Sequence, residues 1–445
     1  MVGSFRHRIV LPVVIILTAI LTASCYVTKD SADTKDLSYI YNPIRNVFSP
    51  YFSIFSEDAE TVILSVRLRR GEIYFNEANP EGIPMASLLI SVRLFDNSLG
   101  GGLADTARLK FDLPREQVTG EYVCRIPLKA YAGKSYTAEI KTIDLLRQRT
   151  VQSFVDFERK GPYDRLNFKI RDHFSGNEIF TNTLRAGEYI NILYPSGPVD
   201  TLWISYYNAV REIPPAPSVM LPEVTATDEP EKIIALPYSD TLPVMFPREG
   251  IYLISVDSTI REGLTLFNFG SDHPSMSKPE TMIPPLAYIA TGEEMEAMLS
   301  AEKPKVALDD FWLQRTGSIE RSKELIRIYY NRTLFANYYF TSYKAGWLTD
   351  RGMIYIIYGP PDKVYKNAEG ESWGYKKPPV KSRWGSRFTM EDKYLWFNFR
   401  KQKSLFTDND YTLNRATTPV SYWDIAVARW REGKVFRLDN PAELQ

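Results

Sequence analysis

The sequence predicts a multidomain β plus α+β chain: two β-sandwich (immunoglobulin-like) modules followed by an α+β domain of helices on a small antiparallel sheet. Three observations support this. The 445 residues exceed what one core organises, at roughly 150 residues per domain. From residue 39 to about 270 apolar residues alternate in short runs cut by Gly, Pro and Asn. Past Pro274 the spacing becomes helical, and strand-like runs return only near the end.

Residues 1–24 read as a lipoprotein signal peptide. Arg6, His7 and Arg8 form a basic region, Ile9 to Leu21 an apolar run, and Thr22-Ala23-Ser24 a small-residue site ahead of Cys25. The apolar run falls short of the ~20 residues of a spanning helix. A cysteine directly after small residues is similar to the bacterial lipobox, in the relaxed form of Bacteroidetes-type bacteria, since Thr22 stands where Leu is preferred. Cys25 is therefore the expected lipidation site and membrane anchor; an ordinary cleaved signal with a chance cysteine is the alternative. The other cysteine, Cys124, either packs as a small hydrophobe within Tyr122–Ile126 or pairs with Cys25. Residues 25–38 form a polar tether.

The N-terminal β-sandwich spans 39–158. Its strands are expected at Thr61–Leu68, Ser87–Leu94, Ala104–Leu113, Glu121–Leu128, Tyr136–Ile143 and Val151–Phe157, separated by turn signals such as Asn79-Pro80-Glu81-Gly82 and Gly100-Gly101-Gly102. The second β-sandwich, 159–273, takes Leu166–Ile170, Tyr189–Tyr194, Thr201–Tyr207, Leu242–Phe246 and Gly250–Val256. A Pro-rich loop, 212–231, interrupts it; five prolines there deny a central strand its donors and suit a solvated, extended insertion, with a polyproline II docking segment as the alternative.

The α+β domain spans 284–400. Thr291 and Glu294 form a capping box, Pro304 limits that helix, and Asp309 or Asp310 caps a short helix ending at Gly317. Ile326, Tyr329, Tyr330, Thr333 and Leu334 form the buried stripe of a longer helix. Strands are expected at Met353–Tyr358, central because both faces are apolar, and at Glu371–Tyr375 and Tyr394–Phe399. A C-terminal extension, 401–445, carries one helix with Trp423, Ala426, Val427 and Trp430 on its apolar face.

The densest punctuation lies between these elements. Gly346-Trp347-Leu348-Thr349-Asp350 runs into Arg351 and Gly352, and the following apolar run stops at Gly359-Pro360-Pro361-Asp362. These residues resemble the GWxTD domain family of bacterial envelope proteins. The resemblance implies a domain and an address in the cell envelope, at the periplasmic face of the outer membrane once the anchor is included. It implies no reaction.

Strong catalytic patterns are missing from the sequence. Gly370-Glu371-Ser372-Trp373-Gly374 fits G-x-S-x-G but lacks the strand-turn-helix context and a nearby histidine. Three histidines, one within the signal, cannot supply a metal cluster, so no metal or cofactor is expected. Lys plus Arg equals Asp plus Glu, 54 each, which gives no argument for nucleic acid. Asp350, Asp362 and Glu371 are candidate carboxylates, although aspartates at such turns more often accept their own backbone N–H groups. Trp373, Tyr375 and Glu371, with Trp347, Trp384 and Trp396 near in sequence, are a candidate ligand surface. Lysines and arginines from Lys363 to Lys393 make the surrounding loops basic. Two functions remain open: a noncatalytic lipid-anchored scaffold for another envelope protein, in secretion or outer-membrane assembly, and a glycan-binding or glycan-cleaving protein using the groups around the motif.

Overall fold

The computed structural model describes residues 35–43, 48–76, 82–220, 229–367, 369–378, 393–418 and 421–439. The signal segment, Cys25, Trp384 and the basic residues Lys381, Arg383 and Arg387 lie outside them. Among the described residues no helix is long and apolar enough to cross a membrane.

The first module is, among the described residues, a sandwich of seven strands: β1 (Tyr51–Ser56), β2 (Thr61–Arg69), β3 (Met85–Asp96), β4 (Gly102–Pro114), β5 (Glu121–Lys129), β6 (Lys134–Asp144) and β7 (Arg149–Arg159). They form antiparallel sheets ordered β1-β2-β5 and β4-β3-β6-β7. Alternation sends Val62, Leu64 and Val66 of one sheet against Ile90, Val92 and Leu94 of the other. Cys124 lies in this core, where burial pushes its thiol up to about 11.

The second module pairs a sheet ordered β11-β10-β12-β13 with the hairpin β8-β9, drawn from β8 (Lys169–Asp172), β9 (Ile190–Leu193), β10 (Thr201–Asn208), β11 (Lys232–Pro237), β12 (Gly250–Ser255) and β13 (Leu264–Asn268). Leu242–Phe246, expected as a strand, contributes only a bridge from Val244 to Ile190. Pro243 and Pro247 remove the donors a ladder there would need. β11, directly behind the Pro-rich loop, and β13 complete the sheet in its place.

The C-terminal domain opens with short helical turns at Pro279–Met282 and Pro284–Tyr288, followed by α1 (Gly292–Leu299), whose Thr291/Glu294 capping box is present, and α2 (Pro304–Thr316). Pro304 opens α2, a position where its missing N–H costs nothing, so the helix starts well before Asp309 and Asp310. Gly317 closes it at φ 62°, and α3 (Ile319–Phe340) follows. A 3-10 turn at Gly346–Leu348 leads into α4 (Asp350–Tyr358). The sheet is ordered β14-β15-β16-β17, from β14 (Lys363–Lys366), β15 (Gly370–Lys376), β16 (Tyr394–Lys401) and β17 (Tyr411–Leu413). The last helix is α5 (Ser421–Arg431).

Met353–Tyr358 is therefore helix and not the expected central strand. All nine residues of α4 are buried, so the helix has no polar face, and a short run apolar on every side reads alike in either conformation. The C-terminal core also draws on both ends of the chain: Leu37 and Tyr41 join it from one side, Trp423, Trp430, Phe436 and Leu438 from the other. Residues 35–38 consequently depart from the expected tether. The Leu37 N–H bonds the Val364 carbonyl at 2.8 Å, and Lys363 pairs with Asp36 at 2.9 Å.

Candidate functional site

Each position of the motif meets a different part of the domain. A Cβ on Gly346 would stand 2.0 Å from the Ala336 carbonyl oxygen, so the turn passes against the backbone of α3 as only glycine can. Trp347 is held at both main-chain groups: its N–H donates to Asn337 Oδ1 at 3.0 Å, and its carbonyl accepts from the Tyr288 hydroxyl at 2.5 Å. Leu348 fills the core. Thr349 is the N-cap of α4; its hydroxyl accepts from the Gly352 N–H at 3.0 Å and donates to the Gly346 carbonyl at 2.7 Å. A Cβ on Gly352 would stand 1.9 Å from that same carbonyl oxygen.

The two charged residues that follow are buried and paired. Asp350 accepts from Arg415 Nη1 and Nη2 at 3.0 and 2.6 Å, and from the Leu413 N–H at 2.8 Å. Arg351, 1% exposed, donates to Glu371 at 3.2 Å and to Asn409 Oδ1 at 2.5 Å, with its guanidinium 3.9 Å from the Tyr411 ring centroid. Glu371 also accepts from the Tyr41 hydroxyl at 2.9 Å and from Trp373 Nε1 at 3.1 Å. Burial acts to raise the Glu371 carboxyl, but Arg351 and Lys366, helped by these hydrogen bonds, outweigh it and hold it below the usual range. At the other end of α4, Arg332 donates to the Ile356 and Ile357 carbonyls, both at 2.9 Å. Burial lowers that guanidinium to about 10, with nearby tyrosines opposing the shift.

The proposed ligand surface of Trp373, Tyr375 and Glu371 is overturned, because all three point into the core at 0%, 4% and 2% exposure. The strand's pleat alternates, and these are its inward residues. Trp347 is buried as well. Gly359 turns at φ 84°, its carbonyl accepts from the Tyr375 hydroxyl at 2.8 Å, and Pro360 and Pro361 lead to Asp362. Asp362 is exposed and accepts from the Lys376 N–H at 2.8 Å, tying the start of β14 to the end of β15. Ser372 faces outward and donates to Asn398 Oδ1 at 2.8 Å. Arg415, Arg332, Asn337, Asn409 and Tyr41 escaped sequence reasoning, since each reaches the motif through the fold and none belongs to a local pattern.

Among the described residues, two surface clefts border these elements. One, of about 520 Å³, lies between the Pro-rich loop at Pro214–Ala216, Tyr288 and the α5 residues Trp423, Val427 and Arg431. This part of the loop is not the solvated insertion expected. Pro214 and Pro217 are buried, Ala216 packs on the C-terminal core, and Arg415 Nη2 donates to the Pro215 carbonyl at 3.3 Å. The other cleft, of about 400 Å³, lies on the outer face of the C-terminal sheet beside Tyr365, Ser372, Asn398 and Asn414. Among the described residues no group of three or more His, Cys, Asp or Glu could hold a metal ion.

The family described as "GWxTD domain" matches residues 250–432, from β12 through α5. The chain carries a GWxTD domain. The matched stretch holds the motif and the partners Asn337, Glu371, Asn409 and Arg415. No curated protein matches the chain. Among solved structures it has local similarity to a glycosyl hydrolase family 2 member from Bacteroides cellulosilyticus, at 9% identity over 27% of this chain and 16% of that one, with a TM-score of 0.19. A putative β-galactosidase from Bacteroides fragilis is 10% identical over 30% of this chain and 19% of its own, TM-score 0.17. A calcium-binding mutant of Bacteroides uniformis β-glucuronidase 2 is 14% identical over 28% and 14%, TM-score 0.16. The chain spans less than a fifth of each of these proteins, and likeness at this level carries nothing about its activity.

Proposed function

We propose that this GWxTD domain-containing protein is a noncatalytic cell-envelope scaffold, anchored through lipid on Cys25 at the periplasmic face of the outer membrane, which presents its domains to another envelope protein in secretion or outer-membrane assembly. One observation carries the noncatalytic part: the motif's polar groups are consumed internally, Asp350 by Arg415 and Arg351 by Glu371. A glycan-cleaving centre at the motif needs two carboxylates free in an open cleft. Asp350 and Glu371 are instead each buried against a cation. The basic region, apolar run and small-residue site ahead of Cys25 support the anchor.

Two measurements test the reading. Mass spectrometry of the mature N-terminus should find Cys25 acylated, and Cys25→Ser should release the protein from membranes; an unmodified N-terminus overturns the anchor. Photo-crosslinking in intact cells from position 428, in the cleft beside α5, should recover one envelope protein repeatedly, while a crosslinker at Lys110 on β4 should not. Repeated recovery of nothing from either site overturns the scaffold.

A further inference from the structure

The pleat that buries Val364, Trp373 and Phe397 turns Tyr365, Ser372, Trp396 and Asn398 to the opposite face of the sheet. There the rings of Tyr365 and Trp396 stack, with centroids 5.8 Å apart and planes at 29°, and Tyr394 extends the row at 5.6 Å from Trp396. Gly374 sits beneath the indole, and a Cβ at that position would stand 2.8 Å from the six-membered ring. The ring therefore lies against the strand. Among the described residues its Nε1 is buried without a hydrogen-bond partner.

The polar cleft begins at Tyr365. Its floor is a chain of neutral groups: Ser372 Oγ donates to Asn398 Oδ1 at 2.8 Å, and Asn398 Nδ2 reaches Thr417 Oγ1 at 3.5 Å, too long to satisfy the amide. Asn414 lines the same cleft. The charges around it cancel: Lys366 is directed to Glu371 at 3.7 Å, and Arg400 and Glu369 contribute one of each sign. A volume of about 400 Å³ with the Tyr365 ring at one edge, where the aromatic row ends, and a few polar groups suits a small ligand, whereas a protein partner needs roughly 800 Å² of surface on each side.

We propose that this outer face is a binding site for a neutral saccharide. An aromatic ring offers a flat apolar surface to the C–H face of a pyranose. Carboxamides offer a donor and an acceptor side by side, the arrangement that two adjacent hydroxyls complement. The site is independent of both the motif and the scaffold reading, because it uses the outward residues of strands whose inward residues build the core.

Triacetylchitotriose, cellotriose and maltotriose, each titrated into the full mature protein and followed by calorimetry and saturation-transfer NMR, test the proposal. At least one should bind, with transfer strongest at ring protons. Asn414→Ala and Trp396→Ala should each weaken it about tenfold or more, while Val427→Ala in the other cleft leaves it unchanged. Should Trp396→Ala lose its native circular dichroism, Tyr365→Ala and Asn414→Ala carry the test. No binding of any of the three up to ~10 mM overturns the proposal, as does binding indifferent to these substitutions. A protein captured at this face without any saccharide response overturns it too.

Discussion

Replacing Asp350 by Asn separates a folding role for the motif from a chemical one. The carboxylate holds two Arg415 donors at 3.0 and 2.6 Å and the Leu413 N–H at 2.8 Å, and both charged side chains are 5% exposed. At an effective dielectric constant of about 20, a charge pair at this separation attracts by roughly 5–6 kcal/mol before desolvation is subtracted. The substitution leaves Arg415 buried without its anion and turns an amide donor toward its guanidinium, which costs about 3–5 kcal/mol. For a domain of this size that is a fall of about 6–20 °C in Tm. Differential scanning calorimetry of Asp350→Asn, Arg415→Gln and the double variant should show each single change costly and the pair less than additive, by about 1–3 kcal/mol. An Asp350→Asn protein that melts within ~1 °C of the parent refutes the structural role. Loss of the in-cell crosslink in such a protein would move the aspartate to function.

Two further outcomes follow from the same packing. Gly352→Ala should prevent the C-terminal domain from reaching its native melting temperature, because the new Cβ would lie 1.9 Å from the Gly346 oxygen, whereas Gly292→Ala, with nothing within 4 Å, should be neutral or stabilising by up to ~1 kcal/mol. Equal Tm values for the two variants would contradict this. Glu294 is held at about 2; burial raises it, but Arg431, the Thr291 N–H and Arg315 outweigh that. A carboxyl lowered on folding stabilises the fold above its ordinary 4.5 and loses that contribution as pH falls toward 2. The Tm gap between the parent and Glu294→Gln should therefore be open at pH 6 and close across that window; a gap constant down to pH 2 would refute the assignment.

What could be read in the sequence follows from how far each signal reaches. The strands of the first sandwich, the Thr291 capping box and the Tyr329 and Tyr330 stripe all depend on neighbours within about one turn or one strand, and the structure has them where periodicity and caps put them. α4 carries no legible period: its residues are buried on every side, leaving no polar face to mark a helix. The Thr349 cap that starts it is nonetheless a local signal, three residues ahead of the Gly352 N–H it accepts from. Glu371, Trp373 and Tyr375 show a different limit. Alternation says that residues 371, 373 and 375 share a face, and not which face is covered.

The same limit explains why a five-residue motif can name a domain without naming a reaction. α4 is enclosed, so both its ends must be satisfied by groups brought from elsewhere: Thr349 at the start, Arg332 and Trp430 at the Ile356 and Ile357 carbonyls. Its first two side chains carry opposite charges into the core, which fixes Arg415 near one and Glu371 near the other. Gly346 and Gly352 are set by backbone contact, and Thr349 by the cap. Every letter is then set by an inward contact of the fold. The saccharide site proposed above draws instead on positions one residue out of phase with the core, Tyr365, Ser372, Trp396 and Asn398, whose side chains make none of the contacts that define the motif.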